Sequence, residues 1–391
     1  MLLFINDYHP RINNLTMKIA FDAKRITHNA TGLGNYGRFV VNGLNRFHPE
    51  NSYNLYSPKP GNESCRSQIT SLNNLKFMYP SGNITSNFPG LWRSYYMTHQ
   101  LKQDKVDLFH GLSNELPLFI EKSGIPSVVT IHDLIFNRHP EYYKFLDRKI
   151  YNFKFKRACV YADRIIAVSE TTKQEIISAY KIPESKIEVV YQGCNPAFGT
   201  IVAPELREQI IKSYSIARPY ILYVGSIEAR KNLLLIVKAL KYLDRDTTLV
   251  AVGKRTPYTA VVEAFIKENG LAERVKILHQ VSFAELPALF QSASVFVYPS
   301  FFEGFGIPIL EALTSGVPVI AATGSCLEEA GGNKSLYIDP NNELQLASYI
   351  RNVIGNQQLA NEMIEEGRRY AQRFTPEKST AQLMSIYQKL I

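Results

Sequence analysis

The chain has 391 residues, 45% of them hydrophobic, and 44 Lys and Arg against 35 Asp and Glu give a net charge of +9 with a mean hydropathy of −0.14. That length favours two domains or one large one, each half able to bury a core without disulfides or metal. No run approaches the ~18–20 apolar residues that a spanning helix needs. Four scattered cysteines (Cys65, Cys159, Cys194, Cys326) with no C-x-x-C pair argue against a zinc site or a disulfide framework.

Taken in chain order, residues 1–16 lack the basic n-region and cleavage site of a signal peptide. They read as a poorly packed extension ahead of a first strand opening at Met17, in a chain expected in the cytoplasm. Next comes TGLGNYGR, which spells G-x-G-x-x-G through Gly32, Gly34 and Gly37. Its glycines lie some ten residues past the strand Lys18–Asp22 and no acid is well placed for a ribose, so a dinucleotide fingerprint is rejected. Residues 1–200 hold 24 Lys and Arg against 16 Asp and Glu. That surplus suits an anionic substrate or an anionic membrane face, or is a solvated bias without a partner. No zinc finger, RNP signature or basic repeat supports nucleic acid.

DLFHG and PSVVTIHD read as buried strands, the second closing at His132 and Asp133. A lone His is more often a core residue, but the carboxyl end of a parallel strand is where ligands bind. Residues 141–157 interleave six basic and six aromatic residues. They read as a long helix with core aromatics; the second reading is an amphipathic surface helix touching a membrane. RIIAVSE closes on Ser169, an expected N-cap. After the strand KIEVVYQG, residues 192–218 hold Gly, Pro and a helix-like piece and form the expected linker.

The strand series then restarts with PYILYVGS, TLVAVG, VKILHQ, SVFVYPS and VPVIAA. Strands alternating with helical patterns predict two doubly wound α/β domains. Between the first two strands lies Gly225 with Lys231 at a helix start, a compact charge suited to a diphosphate. Asp244, Arg245 and Asp246 form a D-x-D that falls in a turn, away from any strand's carboxyl end. The eight His residues form no H-E-x-x-H pattern, so metal catalysis has no support and no cofactor is expected. After YPS at 298–300 comes a Gly-rich turn (Glu303, Gly304, Phe305, Gly306) and a helix beginning near Pro308. Its amides and the helix's positive end suit a pyrophosphate and sugar hydroxyls. Glu303 in the turn and Glu311 in the helix can each face a different part of one ligand.

E-x7-E after YPS, followed by G-V-P-V-I, resembles the retaining GT-B glycosyltransferases of family 4, nearest the branch of bacterial mannosyltransferases of surface polysaccharide assembly. The resemblance runs from about Met17 to the C-terminus. It implies that Glu303 lies near the transferred sugar, that Glu311 holds the ribose, and that the Gly304, Phe305 and Gly306 amides contact sugar or phosphate. It also implies a phosphate role for Lys231 after Gly225. Many relatives carry an Arg where Ser226 stands, which leaves Arg230 as the substitute. Gly32 and Gly34 match a loop that closes over the donor phosphates, and Asn35 is placed to cap the next helix. His132 matches a functional His near the sugar.

The implied fold is GT-B: residues 17–195 an acceptor-binding Rossmann-like domain, 196–218 a linker, 219–372 the nucleotide-sugar domain, and 373–391 a helix crossing back. The implied partners are a nucleotide diphosphate sugar, with GDP-mannose the first guess, and a glycan or lipid-linked acceptor, with peripheral contact at the cytoplasmic face of the inner membrane. A GT-B epimerase and a non-catalytic sugar-nucleotide-binding subunit remain as alternatives.

Overall fold

The computed structural model describes residues 16–70, 73–80 and 88–391, so the expected extension lies, but for Thr16, outside the described residues. Runs such as KIAFD and SVVTI show no polar–apolar alternation because both of their faces are covered. Seven strands form the first sheet: β1 (Lys18–Asp22), β2 (Ser52–Tyr56), β3 (Leu75–Met78), β4 (Leu108–Gly111), β5 (Ser127–Ile131), β6 (Arg164–Ala167) and β7 (Ile187–Val189). They lie in the order β3-β2-β1-β4-β5-β6-β7, each pair parallel. Six more form the second sheet: β8 (Tyr220–Val224), β9 (Thr248–Val252), β10 (Val275–Leu278), β11 (Val295–Tyr298), β12 (Val319–Ala322) and β13 (Leu336–Ile338). Their order is β10-β9-β8-β11-β12-β13, again parallel throughout.

The two sheets share one plan. Each grows from its first strand to one edge, then returns and continues on the other side. The strand order reverses between β1 and β4 in the first sheet and between β8 and β11 in the second. The crevice beyond the carboxyl ends at such a point is where open α/β sheets receive ligands.

Helices cover both sheets. In α1 (Gly32–Phe47) the buried Tyr36, Val40, Val41 and Leu44 recur at helical spacing and face the first sheet. Residues 141–157 depart from the expected core packing. They fall largely in α2 (Phe145–Tyr161), where Phe155 is buried but Phe145 and Phe153 are 63% and 65% exposed. Periodicity marks an apolar face without showing whether anything covers it. In α3 (Glu170–Tyr180) Ser169 is the expected N-cap, its Oγ accepting from the Thr172 amide at 3.0 Å. The stretch 192–218 carries α4 (Pro204–Ser213), whose Ile210 and Ile211 are buried, together with the fully buried Phe198. The second half adds α5 (Ile307–Ser315) and α6 (Gln357–Ala371), and the chain closes with α7 (Pro376–Gln388). Asp244, Arg245 and Asp246 do lie in a turn before β9.

The last helix, α7, packs on α1, the helix that follows the first strand. Gly43 lets it in close, since a Cβ there would sit 2.6 Å from the Thr380 methyl. Its Tyr387 hydroxyl lies 2.6 Å from Nδ1 of His110 on β4, and His110 Nε2 lies 2.8 Å from Thr130 Oγ1 on β5. Thr130 in turn meets the Tyr36 hydroxyl at 3.1 Å. Burial, with His132 nearby, pushes His110 down to about 3, so the ring is neutral and both nitrogens need partners. Tyr387→Phe strands one of them in the core. It is expected to cost about 1–3 kcal/mol, read as a lower urea midpoint with the slope of unfolding unchanged.

Candidate active site

The reversal point of the second sheet brings together the loop after β8 and the turn after β11. From the first comes Lys231 and from the second Glu303, as their positions at strand ends predict. Glu303 Oε1 lies 3.1 Å from Lys231 Nζ and 3.0 Å from Arg230 Nη1. It also accepts from the Tyr298 hydroxyl and from Ser300 Oγ, both at 2.9 Å. Burial alone would raise this carboxyl, but Lys231 and Arg230 outweigh it and hold it at about 2. The cluster therefore sets Lys231 and Arg230 against Glu303, with Glu228 as a second carboxylate 3.4 Å from Arg230. Two cations in one turn suit a diphosphate.

Lys231 is itself positioned. Its Nζ donates to Tyr298 at 2.7 Å and lies over that ring, 5.3 Å from the centroid. Gly225 lies beside its stem, where a Cβ would make ordinary contact with Lys231 Cδ at 3.4 Å. Arg230 donates to the Phe302 carbonyl and lies 3.4 Å from Glu228, so in this structure it braces the turn. Tyr298 and Ser300 were legible only as the end of a strand, yet both hold Glu303.

The turn that follows offers its backbone. Among the described residues, the amides of Gly304, Phe305 and Gly306 make no hydrogen bond within the protein. The Phe305 side chain is the anchor, buried with ring centroids 5.2 Å from Tyr191 and 5.7 Å from Phe374. Gly306 precedes α5, where a Cβ would press on Ala330 at 2.8 Å. Glu311 lies one turn into α5, half-buried, and its carboxyl has no hydrogen-bond partner among the described residues. Burial raises it to about 8.

The first half supplies His132, half-buried at the end of β5. Its Nε2 meets the Leu112 carbonyl at 2.9 Å, which fixes the proton on that nitrogen and leaves Nδ1 as an acceptor. The ring stands edge-on to Tyr36 with centroids 4.6 Å apart. Burial holds it at about 4, so it is neutral. Asp133 does not orient this ring; its Oδ1 accepts from the Ile135 amide at 3.2 Å and ends the strand.

The two halves meet at this point. A Cβ on Gly304 would fall 2.0 Å from the His132 carbonyl oxygen, so only glycine allows the approach. Thr172 Oγ1 sits 3.3 Å from both the His132 and Gly304 carbonyls. Nearby, Glu329 accepts from the Glu170 and Thr171 amides at 2.7 and 2.9 Å, from Thr171 Oγ1 at 2.7 Å and from Tyr191 at 3.1 Å. A carboxylate of the second half thus caps the N-terminus of α3 in the first. No sequence motif marks it, because its partners lie well over 100 residues away in the chain.

The glycine pair near the N-terminus departs from expectation. Gly32 and Gly34 form the first turn of α1 rather than a loop, and Asn35 lies inside that helix, bonded to Arg38, instead of capping it. Gly34 is required for packing, since a Cβ there would fall 1.7 Å from the Asn29 carbonyl. Gly32 faces open space. The helix reaches the site through Tyr36, which stands against His132.

Glu311 makes stability depend on pH with a definite sign. Its folded value of about 8 lies above the ordinary 4.5, so the folded state holds the extra proton. The group therefore lowers stability as pH rises from about 4.5 to about 8. Glu311→Gln is expected to gain on the unmodified protein steadily over that window, compared by urea midpoints. Parallel curves would show that the carboxyl is not held neutral.

The family model described as Glycosyl transferases group 1 matches residues 207–370, and that of Glycosyltransferase Family 4 matches residues 54–198. The O-antigen chain mannosyltransferase B of Escherichia coli is 28% identical over 96% of this chain and 100% of its own length. The O-antigen chain mannosyltransferase RfbU of Salmonella typhimurium is 31% identical over 58% of this chain and 60% of its own. Among solved structures, Alr3699/HepE of Anabaena in complex with UDP and glucose superposes with a TM-score of 0.75 at 18% identity, covering 96% of this chain and all of the other. WaaG, a glycosyltransferase involved in lipopolysaccharide biosynthesis, superposes at 0.72 and 17%, covering 94% and 99%. With two parallel α/β sheets that meet at this site, the chain belongs to the group 1 glycosyltransferases of GT-B fold.

Proposed function

We propose that this glycosyltransferase moves mannose from GDP-mannose, with retained anomeric configuration, to a glycan or lipid-linked glycan at the cytoplasmic face of a membrane. One observation carries the donor half of this reading: two cations meet Glu303 at the start of a turn whose three amides are unbonded among the described residues, and the helix after that turn carries Glu311 without a hydrogen-bond partner. The sugar follows from the relatives, two of which are named as O-antigen mannosyltransferases. Among the described residues no helix is long and apolar enough to cross a membrane.

In this reading the diphosphate lies against Lys231 and the amides of Gly304, Phe305 and Gly306. Arg230 contributes charge from behind Glu303. The amides at the start of α1, near Gly32 and Gly34, face the phosphates from the other half. A ribose diol donates to Glu311 and offsets the cost of burying that carboxylate. Glu303 accepts from sugar hydroxyls, and so does His132 through Nδ1.

The bond between the anomeric carbon and the β-phosphate oxygen breaks, and its electron pair leaves with the nucleoside diphosphate. The acceptor oxygen forms the new bond on the same face. The acceptor's proton passes to the departing phosphate. Lys231 and the amides stabilise the charge that develops there, and no metal ion enters the scheme. Closure of the two halves keeps water out.

Nucleotide release from GDP-, UDP- and dTDP-sugars tests the donor half. Slow hydrolysis of GDP-mannose is expected, reduced about 10²–10³-fold in Lys231→Ala and weakened chiefly through KM in Glu311→Ala. Equal release by both variants would remove the site. An inverted product, once an acceptor is in hand, would remove the retaining step.

A further inference from the structure

Glu329 joins the two halves from outside the donor site. It lies half-buried on the short helix Leu327–Gly331, which follows β12. Each of its carboxylate oxygens accepts two hydrogen bonds. Oε2 takes the Glu170 amide at 2.7 Å and the Tyr191 hydroxyl at 3.1 Å. Oε1 takes the Thr171 amide at 2.9 Å and the Thr171 hydroxyl at 2.7 Å. A helix leaves the amides of its first turn without partners of its own. In α3 Ser169 accepts from the Thr172 amide, and Glu329 accepts from the two before it. One half thus completes a helix of the other.

Both sides of this contact run on to the reacting centre. In the first half Thr172 follows the capped amides, and its Oγ1 sits 3.3 Å from the His132 and Gly304 carbonyls. Ser169 Oγ donates to Thr172 Oγ1 at 2.9 Å, which leaves the proton of Thr172 for those carbonyls. In the second half Cys326 precedes the helix of Glu329, and its Sγ lies 3.0 Å from the Glu303 carbonyl and 2.9 Å from that of Phe305. Tyr191, held by Glu329, packs on the Phe305 ring. The strand end that carries His132 and the turn of Gly304, Phe305 and Gly306 are both tied to residues around one carboxylate. Charge-assisted bonds are short and directional, so they set a distance and an angle between the halves as well as holding them together.

We propose that Glu329 is a positioning residue for sugar transfer: by capping α3 from the other half, it sets His132 at its working distance from the diphosphate turn. The proposal rests on the glycosyltransferase reading. Glu329 touches neither donor nor acceptor in that scheme, and its effect passes through α3, Thr172 and Tyr191. Gln in its place keeps the size but turns one acceptor into a donor, which then faces groups that also donate.

Two variants break the contact, one from each side. Glu329→Gln does so from the second half and Glu170→Pro from the first. Proline is favoured at the first position of a helix, and Ser169 before it is already extended (φ −157°, ψ 161°). Glu170→Pro therefore keeps α3 while placing a ring carbon where the amide proton was. Each variant of the full chain is expected to lower kcat for nucleotide release from GDP-mannose at least about tenfold, with KM within about threefold of the unmodified protein. Glu328→Gln, whose carboxylate bonds to Thr323 and Gly324 in its own half, changes neither. Amide exchange at Thr171 is expected to speed up in Glu329→Gln while the amides of β5 keep their protection. An unchanged kcat in either variant of the contact, or a loss that falls on KM instead, overturns the proposal. So does loss of protection that spreads to β5, because Glu329 would then be holding the fold rather than the alignment. Release by the unmodified protein is measured first. Its absence with GDP-, UDP- and dTDP-sugars strikes the glycosyltransferase reading, whereas intact release that Glu329→Gln leaves unchanged strikes only the positioning role.

Discussion

A carboxylate is costly to bury unless cations and hydrogen bonds surround it, and Glu303 Oε1 has two cations and two hydroxyl donors about it. Lys231 and Arg230 reach it from the loop after β8, while Tyr298 and Ser300 reach it from the end of β11. These contacts fix the turn that follows and so aim the amides of Gly304, Phe305 and Gly306. Removing the lysine would do more than delete a phosphate contact, because it would leave Glu303 less compensated.

The two sheets repeat one strand order, and each sets its polar groups at the point where that order reverses. In the second sheet these are Lys231 and Glu303; in the first they are Asp22, Arg93 and Glu115. The halves are joined by contacts that need specific residues. Gly304 passes under the His132 carbonyl, and Glu329 caps α3 from across the cleft. From the far side, α7 returns to the first sheet and ties Tyr387 through His110 and Thr130 to Tyr36, the ring that holds His132. A buried polar chain of this kind specifies one arrangement more sharply than apolar packing does.

The groups legible in the sequence were those that a strand end and the turn after it place locally. Glu303, Lys231 and His132 sit at such ends, and Ser169 begins α3 as its side chain dictates. The loop at Gly32 and Gly34 was implied by the resemblance alone; here Gly34 makes room for the Asn29 carbonyl within a helix. The strands β2, β3 and β13 escaped notice. SYNLY is interrupted by polar residues, while β3 and β13 are short edge strands with little of their surface fully buried. The aromatic run in α2 was misjudged because spacing alone does not reveal which face is covered. Arg93 was out of reach for a different reason, since its partners lie 71 and 22 residues away along the chain.

The position of the diphosphate defines the donor site, and a crystal structure of the protein with GDP reveals it directly. It should show phosphate oxygens within ~2.7–3.1 Å of Lys231 Nζ and of the Gly304, Phe305 and Gly306 amides, with the ribose on Glu311. GDP bound elsewhere, with those amides still bare and Glu311 still without a partner, would contradict the account at its centre.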